Sequence, residues 1–283
     1  MIVNLIPLQW LAPFGKALGT FAFSVVPIRK KLVLAQLRQV FPEWPQSKIE
    51  KTAKQAYQHF ATMGLEFLRY VTGLPRYYQD FVSVEGFEHI ENALAKGKGC
   101  LAVSGHYGNW ELIGAYAAFI QKHPVHVVAK VQHNPLFDQY VNRKRNAIGI
   151  SIIPAKNATR PIIQQLKNNQ IIAFMLDQDA RKDGEFIDFL GKPASTYTGI
   201  ARLAVKFQIE PVFCAIHRDE NGRHIIRFEP PIPIPDAPSQ NEQAILLTKI
   251  LNNHLESVIR QRPSQWFWVH KRWKTQPPKE KTL

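Results

Sequence analysis

The sequence predicts an α/β fold: a central mixed, mostly parallel sheet flanked by helices, preceded by an N-terminal helical segment. Three observations predict it. From Gly99 onward, short apolar runs of strand length alternate with helix-length amphipathic segments, the pattern of a sheet covered on both faces. Ile171 to Leu176 is an unbroken apolar run, as expected of a strand buried on both sides. Ahead of this region, apolar residues recur at gaps of three and four, which is helical spacing. With 283 residues and 45% hydrophobic content, the chain can bury a sizeable core and is not disordered.

The elements follow in order. Residues 1–28 carry one charge, Lys16, and the first acid of the chain is Glu43. The apolar stretch from Leu5 to Val26, interrupted by Pro7 and Pro13, runs through Pro27 into Arg29, Lys30 and Lys31. No positive region precedes it, so a cleaved signal peptide fits badly. A membrane anchor is the leading expectation, either spanning or lying in the interface with its basic cluster on anionic lipid. A span would leave the body of the protein in the cytoplasm. A buried core helix is the alternative. The chain thus divides into an anchoring segment 1–28, a helical region 29–80 and an α/β body 81–283.

Ser47-Lys48-Ile49-Glu50 has the form of a capping box. Ile49, Ala53, Ala56, Phe60, Met63, Phe67 and Val71 then mark one face of a helix ending near Gly73. Strands are expected at Leu101–Ser104, Val125–Val131, Ser151–Ile153 and Ile171–Leu176. Helices are expected at Asn109–Gln121, from Asn134-Pro135 to Ile148, and after a cap at Asn157 or Thr159. A helix over Tyr197–Phe207 precedes a strand pair, Pro211–His217 and His224–Phe228, turning at Asn221-Gly222. Glu242–Arg260 is the last helix.

The formal net charge is +14, which points to an anionic partner: nucleic acid, an anionic membrane or an acidic protein. Cys100 and Cys214 are the only cysteines, which excludes a disulfide scaffold. The most informative stretch is Ser104-Gly105-His106-Tyr107-Gly108-Asn109-Trp110-Glu111. A strand ends, a turn flanked by two glycines presents His106, and a helix begins. Functional residues gather at strand carboxyl ends in open α/β sheets. A histidine that removes a proton from a hydroxyl needs a carboxylate to fix its tautomer. Glu111, in the first helical turn, is the expected partner. No Gly-x-Ser-x-Gly elbow is present, so His106 is read as a base acting directly on a substrate alcohol. The plainer alternative is a turn histidine with Glu111 merely favouring a helix N-terminus. His123, His126 and His133 lack metal-site spacing.

Asp177 closes an apolar strand, where a lone carboxylate is costly, and Arg145 is its expected ion-pair partner. Arg143, Lys144 and Arg145 form either a phosphate site or a solvated helix face. Trp266, Trp268 and Trp273 among basic residues suit a membrane interface or single-stranded nucleic acid.

Gly105-His106-Tyr107-Gly108-Asn109-Trp110-Glu111 closely resembles the catalytic motif of the late lipid A biosynthesis acyltransferases, within the lysophospholipid acyltransferase group. The resemblance extends over almost the whole chain. Phe41-Pro42-Glu43, Asn134-Pro135 with Arg145, Asp177-Gln178-Asp179, the loop from Phe189 to Thr196 and the terminus from Gln265 to Lys274 match family elements in the same order. Departures are Gln36-Leu37 where Asn-Leu is usual, Leu190 where a second Phe is common, and Trp273 in place of Phe. The resemblance implies an O-acyltransferase with His106 and Glu111 catalytic, and Arg145, Asp177, Gln178, Asn109 and Thr196 binding substrate. It implies acyl carrier protein as donor and a glycolipid such as a lipid A precursor as acceptor. The expected location is an anionic membrane surface, the cytoplasmic face of the inner membrane. No metal, organic cofactor or nucleic acid is required. Rivals are transfer to another glycolipid or lysophospholipid, hydrolysis by the same pair, and a basic nucleic-acid-binding protein indifferent to His106.

Overall fold

The computed structural model describes residues 6–26, 28–69 and 74–278. Three helices lead: α1 (Leu8–Ser24), α2 (Lys30–Val40) and α3 (Gln46–Arg69). Helix α1 lies against α3 through its glycines. A Cβ on Gly15 would stand 2.4 Å from Thr62 Oγ1, and one on Gly19 would stand 2.4 Å from Gln58 Cα. Only glycine lets the two backbones come this close. The opposite face of α1 carries Trp10, Phe14, Leu18 and Phe21, all exposed. This one helix thus has features of both sequence alternatives, one face packed and one face apolar and open. None of the described helices is long and apolar enough to cross a membrane.

The apolar face of α3 is as expected, with Ile49, Ala53, Ala56 and Met63 buried, but its start differs. The helix begins at Gln46, so Ser47 sits inside it, and the capping box is not used. Pro45 O instead accepts from the amides of Lys48 and Ile49. The expected helix end at Gly73, and Val71 on its face, lie outside the described residues, as does Pro27.

After α4 (Leu74–Phe81), the α/β body comprises β1 (Val82–Glu85), α5 (Glu88–Ala95), β2 (Cys100–Ser104) and α6 (Glu111–Ala115). A π-helical turn, Tyr116–Ile120, continues α6. Then come β3 (Val125–Ala129), α7 (Pro135–Asn146), β4 (Ile150–Pro154), α8 (Thr159–Lys167) and β5 (Ile171–Met175). The β6–β7 hairpin (Glu185–Phe189, Lys192–Thr196), α9 (Gly199–Phe207), β8 (Val212–Arg218), β9 (His224–Phe228) and α10 (Gln240–Gln261) complete it. Among the described residues the main sheet has seven strands in the order β1-β9-β8-β2-β5-β3-β4. The β8–β9 pair is antiparallel and the other five pairings are parallel. The sheet is therefore mixed and mostly parallel, with one apolar cluster on each side.

Helix α7 starts as its sequence dictates. Asn134 Oδ1 accepts from the amides of Leu136 and Phe137, and Pro135 occupies the first turn. Helix α8 does not: Ala158 holds the cap position without a side-chain bond, so neither Asn157 nor Thr159 caps it. The three C-terminal tryptophans are core residues and not a membrane belt. Trp266 and Trp268 are fully buried, and Trp273 nearly so. Gln36, the departure near Phe41, ties this terminus down. Its amide donates to Trp268 O and His270 O, and its carbonyl accepts from Arg272 N.

Candidate active site

Strands β2 and β5 are parallel neighbours in register, with Ser104 beside Met175. Each chain therefore leaves the carboxyl edge of the sheet at the same level. Two residues beyond these positions stand His106 and Asp177, side by side. His106 Nδ1 and Asp177 Oδ1 are 2.8 Å apart, and the His106 amide donates to Asp177 Oδ2 at 2.9 Å. Trp266 Nε1 donates to the same Oδ2 at 2.7 Å. Gly108 completes the turn at φ +61, and a Cβ there would stand 2.1 Å from Ile216 O.

The carboxylate of His106 is thus Asp177 and not Glu111. Burial alone would raise the Asp177 carboxyl. The charge of His106 and hydrogen bonds from His106 and Trp266 outweigh it and bring the pKa down to about 2. An ionised carboxylate only accepts, so Nδ1 carries a proton, and in the neutral ring the lone pair is on Nε2. Trp110 packs edge-on to the ring at 4.9 Å, and Phe267 lies 6.0 Å away. The side-chain nitrogen of Gln178 is 3.5 Å from His106 Nε2.

Glu111 is taken by Arg145. Arg145 Nη2 donates to Glu111 Oε1 at 2.5 Å and Nε donates to Oε2 at 3.1 Å, a two-point pair. Trp110 Nε1 adds a third donor at 3.2 Å. The expected Arg145–Asp177 pair does not form. The two carboxylates have exchanged partners relative to the expectation, because Asp177 comes in from the adjacent strand while Glu111 faces α7.

Two cavities meet at His106. The inner one runs between α6 and the sheet, lined by Val103, Ile113, Val125, Val127, Ile171, Phe174 and Phe228. The outer one is a groove between α3 and α7, walled by Phe60, Met63, Phe67, Phe137 and Val141. His106, Trp110, Glu111, Lys130, Arg145 and Gln178 line both.

The model of the bacterial lipid A biosynthesis acyltransferase family matches residues 1–275. The chain belongs to that family. Among similar proteins, the phosphatidylinositol mannoside acyltransferase of Mycobacterium tuberculosis (strain CDC 1551 / Oshkosh) is 25% identical over 198 residues, 67% of this chain. The chain spans 59% of that protein's length. The lipid A biosynthesis palmitoleoyltransferase of Escherichia coli (strain K12) is 25% identical over 288 residues, covering 98% of this chain and 89% of the relative. The lauroyltransferase of the same strain is 26% identical over 286 residues, with the same coverage.

Of the residues predicted for this family member's site, His106, Glu111, Arg145 and Gln178 line the cavities, and Asp177 lies directly behind His106. Asn109 and Thr196 line neither. Asn109 is fully buried and its amide donates to Glu66 Oε2 at 2.9 Å. Thr196 is fully buried on β7, where its hydroxyl accepts from Arg272 Nη2. Lys130, just past the end of β3, stands at the cavity junction. Trp266 was missed as a donor to Asp177. A buried cluster behind the turn was also missed: Glu66 with Arg218 at 2.5 Å, Tyr77 at 3.0 Å and His224 at 3.5 Å. Glu66 falls three residues after Met63 on the buried face of α3, the one signal that could have flagged it.

Proposed function

We propose that the protein is an O-acyltransferase that moves a fatty acyl group from acyl carrier protein to a hydroxyl of a glycolipid acceptor such as a lipid A precursor. The observation that carries this reading is His106 Nε2, left as a base where an apolar cavity meets an outer groove. The inner cavity follows β5 from Met175 to Ile171, about 13 Å at the rise of a strand. An extended hydrocarbon advances about 1.25 Å per carbon from C–C bonds of about 1.5 Å, so about ten carbons fit along it. The acceptor then occupies the groove between α3 and α7.

In the proposed reaction His106 Nε2 takes the acceptor hydroxyl proton. The oxygen attacks the thioester carbonyl carbon and forms the new C–O bond. The C–S bond of the tetrahedral intermediate breaks, and the departing sulfur receives the proton from Nε2–H. Asp177 holds the tautomer and stabilises the imidazolium. Gln178 and Arg145, which line both cavities beside His106, would meet the forming oxyanion. Glu111 acts through Arg145, fixing its guanidinium in the cleft. The open apolar face of α1, followed by Arg29, Lys30 and Lys31, supports association with an anionic membrane surface at the cytoplasmic face of the inner membrane.

The test incubates purified protein with acyl carrier proteins bearing several chain lengths and a panel of glycolipid acceptors, reading product masses. An acylated glycolipid whose formation requires His106 is expected. Release of free fatty acid with every acceptor unmodified would make the protein a hydrolase.

A further inference from the structure

We infer that the β3–α7 connection is a membrane-inserting tip, docking on an anionic lipid surface at the mouth of the outer groove and separate from α1. Three large apolar side chains stand within seven residues there: Val131 is 66% exposed, Leu136 78% and Phe137 54%. They are not the loose ends of a mobile loop. Asn134 Oδ1 accepts from the amides of Leu136 and Phe137, Asp138 Oδ1 accepts from Gln132 N at 2.8 Å, and Pro135 fixes the first turn of α7. The backbone is thus built to hold Leu136 and Phe137 outward. Their exposure to water has no counterpart in packing.

The surroundings select the partner. Lys130 precedes the tip, and Arg143 shares a shallow depression with Val131 and Leu136. Asp138, the acid of this depression, is engaged by Gln132 N and Asn142 Nδ2. Aliphatic and aromatic side chains projecting from a basic rim match the boundary between anionic headgroups and acyl chains. An acidic carrier protein would use the cations but would leave Leu136 without a role. The inference rests on the proposed acceptor being membrane-embedded: Val131 and Phe137 also line the outer groove, so docking here would open that groove onto the bilayer.

Both native cysteines are fully buried, so a single introduced thiol can be labelled selectively. Leu136→Cys in the full chain, carrying an environment-sensitive fluorophore, is mixed with vesicles of phosphatidylglycerol and phosphatidylethanolamine. Lys98→Cys, at the opposite edge of the sheet, and Leu18→Cys on α1 are the comparison sites. A blue shift with a several-fold gain in intensity is expected at positions 136 and 18 but not 98, weakening with salt and absent on purely zwitterionic vesicles. A response at 18 alone overturns the inference, as does a response at 136 to acyl carrier protein or to raised protein concentration without vesicles. This readout needs no turnover, so it stands apart from failure of the transferase assignment. With activity in hand, Leu136→Glu is expected to lower the rate on vesicle-embedded acceptor several-fold and to leave the rate on detergent-dispersed acceptor unchanged. Equal rates on both would also overturn the inference.

Discussion

Among the described residues, two buried carboxylates each meet a histidine, and in only one of these pairs does the histidine line a cavity. Asp177 and His106 sit at the carboxyl edge of β5 and β2, and Glu66 and His224 sit beneath the same turn. Both carboxylates are held below the usual range. His106, Trp266 and the His106 amide hold Asp177 down, and Arg218 and His224 hold Glu66 down, each against the opposing effect of burial. The difference lies in what each ring faces. His224 is fully buried, and its Nε2 faces Tyr77 Oη at 3.1 Å, besides Glu66. His106 Nε2 opens on both cavities. The sealed cluster joins α3, the His106 turn through Asn109, and β8 through Arg218. It is closed off from both cavities, whereas the His106 ring lines both of them.

The sharpest way to break this comparison is to remove the open pair. His106→Ala is expected to fold and to lose about 10²–10⁴-fold in transfer rate, the range for a lost general base. Asp177→Asn is expected to lose a similar factor, because an amide at Nδ1 no longer demands the tautomer that leaves Nε2 free. Single-turnover rates, with thermal unfolding as the folding control, check both. Near-normal rates in folded variants would place the chemistry elsewhere.

Equivalent changes in the sealed cluster should act on stability. Glu66→Ala leaves Arg218 buried without its carboxylate, and breaking such a pair costs about 3–5 kcal/mol. For a chain of this size that is a fall of about 10 °C in Tm. The rate per folded molecule should stay within about tenfold of the parent, since Glu66 bonds the turn through Asn109 and makes no hydrogen bond to the His106 ring. A loss matching that of Asp177→Asn, at unchanged Tm, would erase the distinction between the clusters.

This contrast also explains what was legible in the sequence. The strands around the site were legible because each is a short apolar run bounded by turn residues, and His106 stood out through its glycines. The identity of its carboxylate was not. Glu111 is near His106 along the chain, but Asp177 is near it only because β5 lies beside β2 in the sheet order, which no local pattern encodes. The same limit applied to Trp266, whose basic neighbours suggested a membrane interface although its ring lies in the core. The β6–β7 hairpin, β1 and α5 were not anticipated either. The hairpin is held from below by Arg272, whose guanidinium donates to Ser195 O and Thr196 Oγ1, a contact about seventy-five residues away in sequence.

Acid should separate the two regions at different pH. His59 is pushed down to about 4 by burial and then by the charge of Arg218 in the sealed cluster. The unfolded chain therefore binds more protons between the ordinary histidine value and about pH 4, and stability falls as pH drops through that window. Asp177 is ionised in the folded state down to about pH 2, so its contribution is present above the ordinary aspartate value and lost between about 4 and 2. His59→Gln should flatten the decline of Tm between about pH 6.5 and 4, and Asp177→Asn only the decline below about 4. Tm measured across both windows would decide. A flattening of the upper window by Asp177→Asn would contradict the assignment.

The smallest expected effect concerns the third contact to the Asp177 carboxylate. Trp266→Phe removes one donor, the indole Nε1–H, and keeps an aromatic ring among Phe189, Trp268 and Trp273. The bonds from the His106 ring and amide remain, so the tautomer and the geometry of the base are retained. A hydrogen bond to a charged group is worth about 1.5–3 kcal/mol, and part of the loss here is cavity formation in the core. The transfer rate at neutral pH should therefore fall by less than about tenfold. With one stabilising donor gone, the Asp177 carboxyl should rise above about 2, so loss of its ionised form begins at higher pH than in the parent. Carboxyl chemical shifts or the acid limb of the stability profile would show that displacement. An unchanged acid limb would mean that Trp266 supports Asp177 by packing alone. A collapse in rate comparable to Asp177→Asn would mean that the indole, not the histidine amide, sets the position of the carboxylate.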